Sequence, residues 1–204
     1  MDPGAGLKLP ARGRPRLFDL DEALGHAVRV FSERGYHGTS ISELGSAMGL
    51  TAGSLYKAFA DKRAVFLAAL EHYGRDRSAA LDEALAAAGN GRDAVRAALD
   101  FYAGASHGRR GREGCLVVGT ATELAALDPE ISTRVVAALR RREALLAELL
   151  QRGQADGSLP ATLDVKATAR FLLCLLQGLR VVGKTSPTRA DTEAVVDVAM
   201  AALK

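Results

Sequence analysis

The chain has 204 residues, 48% of them hydrophobic, and a formal net charge of +3. This length suits one or two domains, and no apolar run approaches the roughly 18 residues that a membrane-spanning helix needs. The first sixteen residues lack the apolar stretch of a signal peptide, so we expect a cytoplasmic protein that does not contact a membrane.

Residues 1–17 are predicted to form a flexible basic arm, because basic side chains outnumber acidic ones and because prolines and glycines oppose folding there. The stretch Arg12-Gly13-Arg14-Pro15-Arg16 resembles the core of an AT-hook, whose arginines enter the narrow minor groove of A·T-rich DNA. Arg14 and Arg16 are therefore candidate DNA contacts. A solubilising basic tail would have the same composition, and the sequence leaves both interpretations open.

Beyond residue 18, apolar residues recur at spacings of three and four, which predicts an all-α fold of about nine helices. The expected capping residues are Asp19 with Glu22, Ser40 with Glu43, Thr51 and Asp61, and Asp128-Pro129 is expected to start a later helix. Gly35 is expected to end the first helix and Gly49 the second. Later helices are expected near 92–106, 115–127, 129–154, 164–183 and 189–203, with a loop rich in glycine and arginine at 108–114.

The two short helices within residues 41–59 have the spacing of a helix-turn-helix, which places the start of its second helix in the major groove of DNA. Burial of Leu55 would leave a small polar face outward, with Tyr56 and Lys57 suited to phosphates. Lys62 lies in the first turn of the fourth helix, where free backbone N–H groups attract an anion, so it is a candidate phosphate clamp. The candidate DNA contacts are Thr39, Ser40, Thr51, Ala52, Gly53, Ser54, Tyr56, Lys57 and Lys62.

Eleven residues of this region fall into one fixed pattern: Thr39, Ile41, Leu44, Ala47, Gly49, Leu50, Gly53, Leu55, Tyr56, Phe59 and Lys62. The pattern resembles that of the TetR family of transcriptional regulators, and the resemblance covers about residues 18–72. Two positions depart from it. Gly45 stands where the family usually has alanine, and Ala58 stands where a histidine often precedes the phenylalanine, so any DNA contact of that histidine is absent here.

The second half resembles TetR-family regulatory domains through its helix lengths and through Gly114-Cys115-Leu116 followed by Thr122-Glu123-Leu124. The resemblance implies a homodimer formed by the last two helices and a small-molecule effector bound among the middle helices. Candidate effector contacts are Leu70, Tyr73, Phe101, Tyr102, Cys115, Thr122, Glu123, Phe171, Cys174 and Gln177, for each of which core packing is the alternative role. The implied domains are the arm 1–17, the helix-turn-helix domain 18–61 and the effector-binding and dimerisation domain 62–204.

The function expected from the resemblance is that of a ligand-responsive regulator, foremost a repressor, which binds palindromic operator DNA as a homodimer and is released by its effector. One alternative is an architectural DNA-binding protein that needs no ligand. Another is a thiol or metal sensor that acts through Cys115, near Arg109, Arg110 and Arg112. We expect no cofactor or metal ion, and no enzyme, because the four histidines are scattered and no nucleophile motif appears.

Overall fold

The structure is a computed structural model that describes residues 20–204. The arm, Arg14, Arg16 and the expected cap Asp19 lie outside the described residues. Within 20–204 the chain is all-α, as predicted, and none of its helices combines the length and apolar character needed to cross a bilayer. The helices are α1 Leu20–Arg34, α2 Ile41–Ala47, α3 Ala52–Ala58, α4 Lys62–Leu85, α5 Gly91–Gly104, α6 Gly108–Glu113, α7 Leu116–Glu123, α8 Pro129–Ala155, α9 Val165–Val182 and α10 Arg189–Ala201, with a 3-10 turn at Gly183–Thr185.

Helices α2, α3 and α4 begin at the capping residues that the sequence indicates. Ser40 and Glu43 form a reciprocal capping box, in which each side chain accepts a hydrogen bond from the other residue's amide. The side chains of Thr51 and Asp61 each accept a hydrogen bond from the amide three residues further on. Each cap satisfies an N–H group that has no partner within its own helix.

A tight turn at Gly49 joins α2 to α3. Gly49 has a φ of +67°, a conformation that favours glycine, and the amide of Leu50 donates to the carbonyl oxygen of Gly45 at 2.8 Å. The chain therefore reverses within a few residues, and the helix-turn-helix geometry follows from local sequence alone.

Buried side chains form two apolar clusters. The N-terminal cluster joins α1, α2, α3 and the first half of α4 to α7 and the start of α8. Phe31 and Phe66 meet edge to face within it, with ring centroids 5.0 Å apart. The C-terminal cluster joins α5, α8, α9 and α10. Helix α4 contributes to both clusters, with Val65 and Leu70 in the first and Leu81 in the second.

Helices α5 and α8 cross with their backbones in contact. A β-carbon added to Gly91 would lie 2.0 Å from the backbone nitrogen of Gly153, so glycine is required at this crossing. The amide of Gly91 donates to Oδ2 of Asp156 at 2.7 Å, and the amide of Arg92 donates to Oγ of Ser158 at 3.0 Å. The start of α5 is thus fixed to the end of α8.

The segment 108–114, expected to be a loop, instead forms the short helix α6. Its two glycines lower the local helix propensity, so the pattern of the sequence does not indicate a helix. Packing reverses that preference, because a β-carbon on Gly111 would lie 2.8 Å from the carbonyl oxygens of both Ser106 and Gly183. Helix α7 also ends at Glu123, four residues before the expected boundary.

Candidate DNA interface and effector cavity

Helix α3 buries one side chain and exposes the rest. Leu55 is 1% exposed and packs in the N-terminal cluster. The outward residues are Thr51, Ala52, Gly53, Ser54, Tyr56 and Lys57. Tyr56 is 56% exposed, and no atom lies within 4 Å of the position that a β-carbon on Gly53 would occupy. Such an open face of small and polar groups can approach base edges and phosphates in a DNA groove.

Three of the hydroxyl groups proposed to contact DNA stabilise local structure. Oγ1 of Thr39 donates to the carbonyl oxygen of Gly35 at 2.7 Å, and Thr39 is 2% exposed. Ser40 and Thr51 are exposed while they cap α2 and α3. Thr39 is therefore inaccessible on this surface, whereas Ser40 and Thr51 lie at its edge.

Lys62, the expected phosphate clamp, contacts the segment between α1 and α2. Its Nζ donates to the carbonyl oxygens of Tyr36 at 3.0 Å and Thr39 at 2.9 Å, and lies 4.3 Å from the centroid of the Tyr36 ring. An ammonium group has three donors, so one remains for a phosphate. In this structure Lys62 foremost holds the loop that precedes the helix-turn-helix.

Glu123, one of the expected effector contacts, joins α7 to the same loop. Its carboxylate accepts hydrogen bonds from the backbone amides of Tyr36 at 2.9 Å and His37 at 2.8 Å. Gly35 has a φ of +75°, and a β-carbon there would lie 2.6 Å from Oε2 of Glu123. We call this contact the Glu123 link; it ties the C-terminal half of the chain to the helix-turn-helix.

A second connection runs from α4 to the start of α8. The Arg63 guanidinium donates to both carboxylate oxygens of Asp128, at 2.9 and 3.1 Å, and to Glu130 at 2.7 Å. These hydrogen bonds from Arg63 hold the pKa of both carboxyl groups below the usual range. Bidentate pairing of this kind fixes orientation as well as distance.

A cavity of about 690 Å³ opens between α1, α4, α5, α6 and the end of α9. Its volume lies within the range of small-molecule sites. Tyr73 and Phe101, two of the expected effector contacts, line it. Its charged lining is mainly basic and comprises Arg29, Arg77, Arg109, Arg110 and Arg180 with two acidic residues. We call it the arginine cavity.

Two further cavities lie beside α4. One of about 110 Å³ is lined by Tyr73 and Tyr102, and another of about 520 Å³, between α4 and α8, is lined by Leu70. The hydroxyl of Tyr102 accepts a hydrogen bond from Nε of Arg142 at 2.6 Å. The expected effector contacts on α4 and α5 therefore all reach a cavity.

Cys115 is buried next to Tyr73, whose hydroxyl donates to its Sγ at 3.3 Å. Burial raises the pKa of the Cys115 thiol, but hydrogen bonds from Tyr73 and the Val118 amide, with the charges of Arg180 and Arg142, outweigh burial and lower the pKa. Among residues 20–204 no three His, Cys, Asp or Glu side chains are grouped to hold a metal ion. Cys115 is therefore a buried thiol whose pKa is lowered by its hydrogen bonds and by neighbouring arginines.

The other expected effector contacts lie away from these cavities. Thr122 is exposed, and its hydroxyl donates to carbonyl oxygens of its own helix. Phe171 and Cys174 point outward from α9. The side-chain nitrogen and oxygen of Gln177 are buried without a hydrogen-bond partner in the described part of the chain.

An apolar surface runs along α9 and α10. We call it the α9–α10 face; its residues are Phe171, Cys174, Leu175, Gly178, Val181 and Val182 of α9 with Ala194, Val195 and Val198 of α10. Val198 is 71% exposed, and Val181, Val182 and Phe171 are each about half exposed. A contiguous apolar patch of this kind marks an interaction site rather than an ordinary solvated surface.

Comparison with known protein families gives two matches. The family model "Bacterial regulatory proteins, tetR family" matches residues 23–69, and "Tetracyclin repressor-like, C-terminal domain" matches residues 91–198, which is more than half of the chain. The chain belongs to the TetR family. As a TetR-family protein it is a transcriptional regulator that binds operator DNA.

Individual relatives cover nearly the whole of this TetR-family chain. It is 31% identical over 198 residues to the HTH-type transcriptional repressor ComR of Escherichia coli, with 95% of the chain and 91% of ComR covered. The regulator YezE of Bacillus subtilis is 30% identical over 94% of the chain and 99% of its own length. A solved structure of a CifR cysteine mutant with 26-bp operator DNA is 35% identical, has a TM-score of 0.80, and covers 94% of the chain and 100% of CifR.

Neither Arg77 nor Arg180 of this TetR-family chain was among the expected effector contacts, although both line the arginine cavity. The sequence nevertheless contains a signal for both arginines, which is their register with buried apolar residues. Arg180 follows Leu176 by four residues and lies on the buried side of α9, where it is 5% exposed. Arg77 follows Leu70 by seven residues on α4. An arginine in register with a buried apolar stripe indicates a functional or paired charge, because a buried guanidinium is otherwise costly.

Proposed function

We propose that this regulator is a ligand-responsive repressor that binds a palindromic operator as a homodimer and is released by a small molecule. The proposal rests on the outward face of α3, whose small and polar side chains are exposed and can enter a DNA groove. The α9–α10 face, a separate apolar surface, is exposed as well. Pairing of two α9–α10 faces around a two-fold axis would give two recognition helices, and a two-fold pair of such helices reads a palindrome.

Selection of bound duplexes from a random DNA library tests this proposal. It uses the purified full chain at a fixed salt of about 0.15 M, so that phosphate attraction does not dominate base readout. Enrichment of a palindromic sequence is the expected result. Enrichment of A·T-rich DNA without symmetry would instead support the architectural alternative, in which the arm dominates binding.

Lys57 provides a more local test of α3. If its ammonium group contacts a phosphate, Lys57→Ala will make the slope of log affinity against log salt shallower by about one per half-site. Fluorescence anisotropy with the selected operator at several salt concentrations measures the slope. Lys166→Ala, a change of an exposed lysine on α9, is the matched control. An unchanged slope for Lys57→Ala would remove Lys57 from the interface.

A second candidate function is thiol sensing through Cys115, which is favoured by its hydrogen bond from Tyr73 and by its lowered pKa. A lowered pKa keeps the thiolate, the reactive form, populated below the pH at which a free cysteine loses it. We expect a small thiol reagent such as methyl methanethiosulfonate to release operator DNA from Cys174→Ser but not from Cys115→Ser. Both variants should bind operator normally before treatment. Equal release from the two variants would exclude Cys115 as the sensor.

A further inference from the structure

The arginine cavity contains more positive charge than the chain neutralises. Its lining has five arginines and two acidic residues, Glu113 paired with an arginine and Asp76 with a histidine, so the arginines outnumber the carboxylates by three. Oδ2 of Asp76 lies 3.1 Å from Nε2 of His72, and Oε1 of Glu113 accepts from Nε of Arg109 at 2.7 Å. Within the described residues 20–204, the remaining arginines of the lining have no ion pair with a carboxylate.

Arg180 is the most deeply buried of these arginines, at 5% exposure. Its guanidinium donates to the carbonyl oxygen of Gly114 and, at 3.5 Å, to the hydroxyl of Ser106. A guanidinium has five N–H donors, so donors remain for a ligand. Because its protein partners are neutral, they orient Arg180 but leave its charge uncompensated.

Arg77 lies on the neighbouring wall. Its guanidinium is 4.0 Å from the centroid of the Phe101 ring and 5.7 Å from that of Tyr102. Burial lowers the pKa of Arg77, and the positive charge of Arg180 adds to the effect. Across residues 20–204, no carboxylate lies within 4 Å of a side-chain nitrogen of Arg77 or Arg180. Two like charges therefore face one cavity, an arrangement that costs free energy unless an anion joins them.

We propose that the arginine cavity binds a small organic anion. Its carboxylate or phosphate head group lies between Arg77 and Arg180, and its short apolar body packs against Val28, Ala80 and Phe101. Guanidinium groups pair with both kinds of head group through two parallel hydrogen bonds. This inference rests on the proposed ligand-responsive function and specifies the chemical class of its effector.

The position of the cavity also connects such an anion to DNA binding. Val28 belongs to α1, which packs against the helix-turn-helix. Arg77 belongs to α4, which follows the helix-turn-helix in the chain. An anion that draws Arg77 towards Arg180 would stabilise one position of α4 relative to α9. A ligand shifts an equilibrium by its difference in affinity for the two states, so operator and anion would each weaken the binding of the other.

The test is calorimetric titration of the full chain with benzoate, hexanoate and phenyl phosphate, and with the neutral analogues benzamide and hexanamide. We expect at least one anion to bind with a Kd below about 1 mM, and its neutral analogue to bind at least roughly tenfold more weakly. Arg77→Gln should weaken anion binding by a similar factor, and Arg77→Lys should weaken it by less. Arg112→Gln, which changes an exposed arginine on α6 outside the cavity, should leave binding unchanged.

Three results would each overturn the inference. They are equal affinity for an acid and its amide, equal losses of anion affinity in Arg77→Gln and Arg112→Gln, and no binding of any anion. Preference for the carboxylates or for phenyl phosphate identifies the head group. Thermal melting of each variant shows that it is folded. Operator binding is measured in parallel, because a chain that binds operator but no anion contradicts only this inference, whereas one that binds the anion but no operator contradicts the proposed function.

Discussion

Replacement of Val198 by aspartate is expected to convert the proposed dimer into monomers and to abolish high-affinity operator binding. Val198 is the most exposed of the large apolar residues on the α9–α10 face, so the change removes little packing within one chain. In a two-fold interface the substitution would bury two aspartate carboxylates, one from each subunit, and each would cost several kcal/mol. Dimer affinity should fall by more than about a hundredfold.

Sedimentation analysis at micromolar concentration measures the oligomeric state of the Val198→Asp variant, and anisotropy with the operator obtained by selection measures its DNA affinity. Val136→Asp is the matched control, because Val136 is also an exposed valine but lies on α8, outside the α9–α10 face. A dimeric Val198→Asp protein with unchanged operator affinity would place the subunit interface elsewhere.

Loss of the Glu123 link is expected to have the largest effect on stability. Glu123→Ala leaves the amides of Tyr36 and His37 without their carboxylate acceptor. Hydrogen bonds to a charged group contribute about 1.5–3 kcal/mol each, and partial exposure reduces the sum, so we expect a loss of about 2–4 kcal/mol. For a chain of this length the melting temperature should fall by roughly 5–10 °C.

Amide hydrogen exchange gives a direct readout of the Glu123 link, because protection at Tyr36 and His37 should be lost first. Glu148→Ala, which removes an exposed glutamate from α8, controls for the change in net charge. If Glu123→Ala melts like the parent protein and keeps both amides protected, the hydrogen bonds of Glu123 do not hold the helix-turn-helix in place.

The sequence predicted the fold well wherever local chemistry decides it. Ser40, Thr51 and Asp61 cap helices at the expected positions, because a capping side chain acts on amides only a few residues away. The segment 108–114 was predicted wrongly because its helix depends on residues distant in sequence. Close packing of Gly111 against Gly183 stabilises α6 although its composition opposes a helix.

The candidate sites were harder to predict, since a residue type does not specify its partner. Lys62 and Glu123 have the chemistry expected of a phosphate and an effector contact, yet in the structure both bind the backbone of one loop. These contacts join residues 26 and 87 positions apart, which periodicity cannot reveal. Conversely, Arg77 and Arg180 each lie in register with a buried apolar stripe, but only the fold shows that both line one cavity.

The backbone contact between Gly91 and Gly153 has a mechanical consequence. It leaves no room for a side chain between α5 and α8, so we expect α5 to form a fixed wall of the arginine cavity and any displacement on ligand binding to fall on α4. Leu81 anchors the far end of α4 in the C-terminal cluster. At about 1.5 Å per residue, Arg77 lies roughly 6 Å from that pivot and Lys62 roughly 28 Å. A tilt of α4 about Leu81 would therefore move the end next to α3 almost five times as far as it would move Arg77.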